Sequence, residues 1–442
     1  MSSIPDTSPT NTSPDDTRPA DTGLTNTAAP SGRLVGGLIR HQRTTFLVAS
    51  GLSTAGSFAG LTAKGWILLD GSNNPLLLAL HFAALAMPSL LVSGPAGVAT
   101  DRHGAERVLV LAQWGLFAAA VLGAVAIPLS SGGLQMGLLL SSTLLVGIAS
   151  AYEVTARNKY CALLVDEAAQ LAPYLTSFSV VFNVGKLVGP PLGGWLVALA
   201  GAGSALAIDA ASYLVPIATV FWLLRPRQGV EVRSRAGQGA TLRQAWRDAG
   251  PVLRHVLRFC AVACLAGFFH PALAPLMARQ VLGPSPQALG LFTSVLAAGS
   301  ITGGVLLQRN SHWLSERPGL LLGACTAATG LAQLSMAAAG LRGAVWAGLG
   351  GTFVIGAGTA ALLAGVNMIC QVGAPLEIRG RMAGLGQIAF LGGGGASGLV
   401  AALLTIGTGL VSSFALLGGL AVVLGAQELL RRGGLRLNLR SV

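Results

Sequence analysis

The stretch GVATDRHGAER, residues 97–107, sets four charged side chains, Asp101, Arg102, Glu106 and Arg107, into a turn between two apolar runs. Those runs, about 76–99 and 107–128, are each long enough to cross a bilayer as a helix. The same alternation extends along the whole chain of 442 residues, which is 52% hydrophobic and only 10% charged. Its mean hydropathy is +0.66. Soluble domains carry about 25% charged residues, so the composition specifies an all-α membrane protein. A net charge of +12 would point to nucleic acid in a soluble chain; here its distribution among the loops decides its meaning.

Twelve spans are expected, at about 44–69, 76–99, 107–128, 134–155, 172–199, 204–224, 256–279, 287–308, 319–341, 344–370, 382–406 and 409–430. One set of connections collects nearly all the arginines, including eight between 225 and 258, while the other receives only Arg279 and Arg342. By the positive-inside rule both termini are cytoplasmic, as an even number of spans requires. Residues 1–32, rich in Ser, Thr, Pro and Asp, cannot build a core. They lack the early apolar segment of a signal peptide. The expected order is a disordered cytoplasmic tail (1–43), a six-helix half (44–224), a cytoplasmic linker (225–255), a second six-helix half (256–431) and a basic tail (432–442). Two such halves are the layout of duplicated transporters with a substrate path between them.

The opening stretch resembles the loop signature of the major facilitator superfamily, G-x-x-x-D-R-x-G-x-x-R, at Gly97, Asp101, Arg102, Gly104 and Arg107. Its place between spans two and three is also that superfamily's. Gly97 allows close helix approach and Gly104 a sharp turn. Asp101 is suited to accept hydrogen bonds from a helix N-terminus of the opposite half, where the dipole favours an anion. The resemblance implies a latch that closes the cytoplasmic side. The matching loop of the second half, LLQRNSHWL, has lost the acidic residue.

A second signature lies in NVGKLVGPPLGG, residues 183–194. Gly185, Gly189, Pro190, Gly193 and Gly194 resemble the fifth-helix motif of the superfamily's proton-exchanging exporters. Glycines at every fourth residue give a smooth face for another helix. Pro190 and Pro191 cannot bond the carbonyls of Lys186 and Leu187, so a bend is expected there, and the freed carbonyls need donors or a wet cavity. Together with VGAPLEIRGRMAGL (372–385), the segment from Thr155 to Gly194 is similar to the branch containing the enterobactin exporter. Where that branch carries an acidic residue in the first helix, this chain has Ser57 after Gly56.

Ionisable groups inside spans are costly and default to function. Lys186, near the middle of the fifth span with Asn183 on the same side, is a candidate for attracting an anion or pairing with an acid. Asp209, with Ser212 and Tyr213 on its face, and His270, followed by Pro271 and Pro275, are candidate proton carriers. Glu153 stands four residues before Arg157, a spacing that also suits a local ion pair. Asn367 and Gln371 are either cavity groups or interhelical hydrogen-bonders. Lys64 and His81 are expected to snorkel to the interface. Cys260 and Cys264 read as packing residues.

Nucleotide-binding, H-E-x-x-H and nucleophile-elbow motifs do not occur. The expectation is therefore not an enzyme: no cofactor, no metal and no coupling to ATP. The reading is a secondary transporter of the bacterial inner membrane with the major facilitator fold. It would exchange protons for a drug, siderophore or metabolite by alternating access. The expected partners are a small-molecule substrate, protons and the lipid bilayer, without nucleic acid, and the assembly is a monomer. A proton-coupled importer and a transporter-like receptor without transport remain open at this point.

Overall fold

The computed structural model describes residues 31–165, 168–223, 246–374 and 379–432. Most of the expected linker, the first thirty residues and the basic C-terminal tail lie outside these. Helix α1, Ser31–Ser72, begins before the expected boundary at 44, and its membrane-length part is Gln42–Ser72. It is followed by α2, Pro75–His103, α3, Ala105–Leu129, and α4, Gly132–Leu163.

The next apolar segment, Ala169–Phe221, runs for 53 residues. A straight helix of that length would reach about 80 Å, far more than the roughly 30 Å of hydrocarbon. It is divided at Gly201, whose φ of 81° and ψ of 165° no L-residue adopts without strain. The two parts are α5 (168–200) and α6 (202–218). The second half comprises α7, Pro251–Gly267, α8, His270–Leu282, α9, Pro286–Arg309, a short α10, Ser311–Ser315, α11, Pro318–Arg342, α12, Val345–Val372, α13, Arg379–Thr408, and α14, Leu410–Arg432. Among the described residues, eleven segments are long and apolar enough to cross a membrane. With the division at Gly201 they make twelve crossings, in accord with the expected fold.

One expected span is broken. Residues 256–279 read as a continuous helix, yet α7 ends at Gly267 and α8 starts at His270, with Phe268 and Phe269 between them. The cause is Pro271, which has no N–H for the Gly267 carbonyl. That carbonyl instead accepts a bond of 2.7 Å from Nε2 of buried Gln333 on α11. Pro191 in α5 likewise cannot serve the Leu187 carbonyl, and Ser294 Oγ of α9 donates to it at 2.7 Å. With this substitute, α5 keeps helical backbone angles through both prolines as far as the break at Gly201. Replacing Gln333 by leucine should leave the Gly267 oxygen unsatisfied and cost about 1–3 kcal/mol, measurable as a lower unfolding temperature of the purified protein.

Within the first half α1 packs along α5 and α2 along α4; within the second, α9 packs on α12 and α11 on α14. Apolar clusters consolidate the halves: Phe46, Tyr160 and Phe178 lie in one within the first half, while Phe269, Phe292 and Phe414 anchor another in the second half that also takes in Ala79 of α2. The halves touch where α5 crosses α9 and α2 crosses α13. These crossings lie toward the arginine-poor end. There Gly194 lies against Pro286, Gly290 against Pro190, and Gly395 against Met87. Among the described residues the halves part toward the arginine-rich end: a side chain on Gly94 or Gly97 would meet none of them within 4 Å. Leu91 beside them is 79% exposed.

Candidate functional site

Between the halves lies a cavity of about 270 Å³, walled by α1, α2, α5, α8, α9 and α12 together with Phe268. Its lining is mostly apolar, with Phe58, Leu61, Phe82, Phe268, Leu296 and Ile355. Hydroxyls of Thr62, Thr293, Ser300 and Thr359 interrupt it. Lys186 also lines it, as expected from the fifth span, and its ammonium lies 3.5 Å from Ser300 Oγ across the inter-half boundary. Asn183, expected beside it, does not reach the cavity. Its amide donates to the Ser179 carbonyl of its own helix at 2.8 Å.

His81 is a correction. Rather than reaching an interface, its ring lines this cavity, with Nδ1 3.0 Å from Thr143 Oγ1 of α4. Such a position fits a side chain that offers a polar edge to a partly apolar chamber.

The glycine and proline segment acts on two sides at once. A methyl group on Gly189 would stand 2.5 Å from the Ala55 carbonyl oxygen and 2.7 Å from Phe58 Cβ, and one on Gly193 would stand 2.7 Å from Ala59 Cα. Gly185 would meet Thr54 at 2.8 Å. The three glycines therefore seat α5 directly on α1. Pro190 and Pro191, on another face, meet Gly290 of the opposite half, where an added methyl would lie 2.6 Å from the Pro190 carbonyl oxygen. Gly194 abuts Pro286 on the same side. One segment thus ties its own half together and forms the crossing to the other.

A second cavity of about 290 Å³ belongs to the first half alone and shares Phe58, Leu61 and Leu85 with the central one. It is the more polar, lined by Ser50, Ser53, Gln113, Glu153, Arg157 and Tyr213, among others. Glu153 makes the local pair its spacing suggested, with Arg157 Nη1 at 2.9 Å. The guanidinium also lies 5.6 Å from the centre of the Phe178 ring.

Behind this cavity stand a buried acid and a buried base, Asp209 and Lys64, without a direct ion pair between them. Asp209 is 3% exposed, and its Oδ1 has no hydrogen-bond partner. Its carboxyl is pressed against Gly60, where a side chain on α1 would collide with it. Lys64, one turn on from Gly60, is 1% exposed and donates to Ser142 Oγ at 2.7 Å. The Ser142 hydroxyl in turn donates a hydrogen bond to the Ala119 carbonyl at 2.6 Å. The expected snorkelling of Lys64 therefore does not occur, and the residue lies within electrostatic reach of Asp209. The reason is that Gly60 and Gly123 leave room for the two side chains between α1, α3 and α6. Tyr213, one turn after Asp209, is joined to Ser57 by a hydroxyl–hydroxyl bond of 2.8 Å. Both hydroxyl residues line the second cavity.

His270 is placed differently. Fully buried, it packs edge-on against Phe292, with ring centres 5.4 Å apart, and neither ring nitrogen has a partner. It belongs to the wall behind the central cavity rather than to its surface. Asn367 faces Gly386 of α13, with its Oδ1 unpartnered. Cys260 and Cys264 are buried one turn apart in the core of the second half.

In the loop motif, Gly104 makes the turn with φ 85°, while Arg102 and Arg107 are exposed. Asp101 does not meet the opposite half here. It pairs with Lys159 of α4 at 2.6 Å, in a site half open to solvent. The physical reason is the parting of the halves at this end, which removes the expected partner. An exposed pair of this kind contributes roughly 0.2–1 kcal/mol, so Lys159→Ala should leave the unfolding temperature nearly unchanged. Residues that the spans did not reveal are Ser294, Ser142 and Ser300. A serine in a span is unremarkable until its distant partner is known.

Comparison with known proteins places these features. The family model described as transmembrane secretion effector matches residues 39–433. The multidrug efflux pump Tap of Mycolicibacterium fortuitum is 25% identical over 354 residues, covering 77% of this chain and 84% of that protein. Tap of Mycobacterium tuberculosis is 25% identical over 178 residues, covering 39% of this chain and 42% of that protein. Among solved structures, a single-residue mutant of the nucleoside transporter NupG superposes with a TM-score of 0.69 at 12% identity, covering 88% of this chain and 99% of that one. A POT family transporter bound to 5-aminolevulinic acid gives a TM-score of 0.69 at 12% identity, over 89% and 96% of the two chains. A bacterial homolog of the human lysosomal transporter Spinster gives 0.62 at 16% identity, over 89% and 95%. These likenesses show the fold alone.

Proposed function

The chain belongs to the transmembrane secretion effector family of the major facilitator superfamily, and from that premise we propose that it exports a small molecule in exchange for protons. The observation that carries the reading is the double seating of the fifth-helix segment. Gly189 and Gly193 lock α5 to α1, while Pro190 and Gly194 form the crossing with α9. A rigid half that rocks about this crossing opens the central cavity to one side at a time. The efflux pumps named Tap support export as the direction.

With the arginine-rich end in the cytoplasm, the conformation described is open inward. Substrate enters from that side or from the inner leaflet and settles beside Lys186. Closure brings the loop of Gly97–Arg107 against the second half, and Asp101 then exchanges Lys159 for donors across the boundary. Asp209 is the proton carrier in this reading. It is buried, has an unpartnered oxygen, and is reached from the second cavity by way of Ser57 and Tyr213. Lys64 holds the compensating charge, so that protonation of Asp209 changes the balance between α1 and α6. Glu153, paired with Arg157, guards the entrance to that route.

The latch makes a separable prediction. Asp101→Asn should lower the transport rate by at least about tenfold, through a cost near 1.4 kcal/mol to the closed state, with stability unchanged. Parallel transport and unfolding measurements check it. Export itself is tested with everted membrane vesicles from cells producing the protein. Energised vesicles should accumulate a labelled substrate and release it when an uncoupler is added. Accumulation confined to right-side-out cells would contradict export.

A further inference from the structure

Among the described residues lining the central cavity, one has an aliphatic amine or acid side chain able to carry a full charge, and it is a base. Lys186 projects into a chamber whose other polar groups are hydroxyls and the ring of His81. Its ammonium has Ser300 Oγ at 3.5 Å and no acidic side chain among the described residues within ion-pair distance. This contrasts with the three buried acids among the described residues. Glu153 is paired with Arg157 and Glu428 with His255, while Asp209 is set behind the wall with Lys64. A charge in a chamber of low polarity calls for a counter-charge. With none in the wall, the occupant must bring it.

We infer that the cavity selects amphipathic organic anions, with a carboxylate, sulfonate or acidic phenol seated on Lys186 and an apolar body against Phe58, Phe82 and Phe268. The inference rests on the transport reading above only in taking this cavity as the substrate site. The volume of about 270 Å³ suits a body of one or two fused rings. Ser300, whose hydroxyl donates to the Leu296 carbonyl at 3.0 Å, can turn to donate instead to a second oxygen of the same anionic group, which places the contact across the two halves. Occupation by an anion therefore joins α5 to α9 at their crossing, and a cation in the same place faces an uncompensated ammonium.

The test measures binding rather than transport. Purified protein in nanodiscs of neutral lipid is titrated with three dansyl amides on one linker, ending in a carboxylate, a primary amide or a trimethylammonium group. Empty nanodiscs supply the background. The expected order of affinity is carboxylate, then amide, then ammonium, with at least a tenfold gap between the first two. Lys186→Gln should bring the carboxylate probe to the level of the amide, and Lys186→Arg should keep most of the gap. Equal binding of the three probes, tighter binding of the ammonium, or a preference that survives Lys186→Gln would overturn the inference. Should the glutamine variant fail to fold, the order on the unaltered protein decides alone. Anion binding without proton-driven movement would count against the transport reading and leave this one standing; proton-driven export with a preference for cations would do the reverse.

Discussion

Asp209→Asn should remove proton-driven transport while leaving substrate binding in place. Positioned proton carriers contribute about 10²–10⁴-fold to the processes they serve, and a loss in that range is expected here. The asparagine keeps the shape that fits against Gly60 but cannot take up and release a proton. It also removes the carboxyl group within electrostatic reach of Lys64, and taking away one partner of even a directly bonded buried pair costs about 3–5 kcal/mol at most. Because Lys64 retains Ser142 at 2.7 Å, the cost should fall at the low end. Adding Lys64→Met should recover most of the lost stability, since two uncharged side chains then share the pocket. Transport should not recover. Recovery of both in the double variant would assign Asp209 a purely structural role.

Gly290→Val should act as strongly through geometry. A side chain at this position would lie 2.6 Å from the Pro190 carbonyl oxygen and 3.0 Å from Pro191 Cα. Both are backbone atoms of a helix already fixed against α1, so the strain cannot be relieved by turning a side chain. Overpacking costs typically about 1–3 kcal/mol, and here that cost falls on the conformation closed at the arginine-poor end. The upper value is a shift of more than about 100-fold between states. Gly304→Val, on the same helix but facing open space, should have little effect. A cysteine at Thr293, in a background whose five native cysteines are replaced by alanine, reports the difference. In Gly290→Val it should react with a membrane-impermeant maleimide from the arginine-poor side, and in Gly304→Val it should not.

The architecture was legible because bilayer thickness imposes a length on every span. The loop at 97–107 and the glycines from 185 to 194 carried the fold further, since each requirement is local: a turn, a smooth face, a missing N–H. Glu153 and Arg157 were legible for the same reason, being one turn apart. Lys64 was not. Its partner Ser142 lies 78 residues away, and nothing near Lys64 in sequence marks the space left by Gly123. Similarly, Ser294 serves a carbonyl 107 residues distant. The break at Phe268 and Phe269 was only half visible: Pro271 announced a lost hydrogen bond, but the choice between a bend and a gap depended on Gln333 of α11. Asp101 shows another limit. Its motif suggests a partner in the opposite half, whereas the residue it pairs with, Lys159, lies 58 positions away in its own half.

The exchange of protons for substrate is tested most directly in proteoliposomes with an imposed pH gradient. In an exchanger the two fluxes oppose each other whichever way the protein inserts, so mixed orientation does not blur the sign. Vesicles acid inside should accumulate labelled substrate, the unaltered protein doing so and Asp209→Asn failing to. Accumulation driven instead by acid outside would show protons and substrate moving together, and would contradict export by exchange.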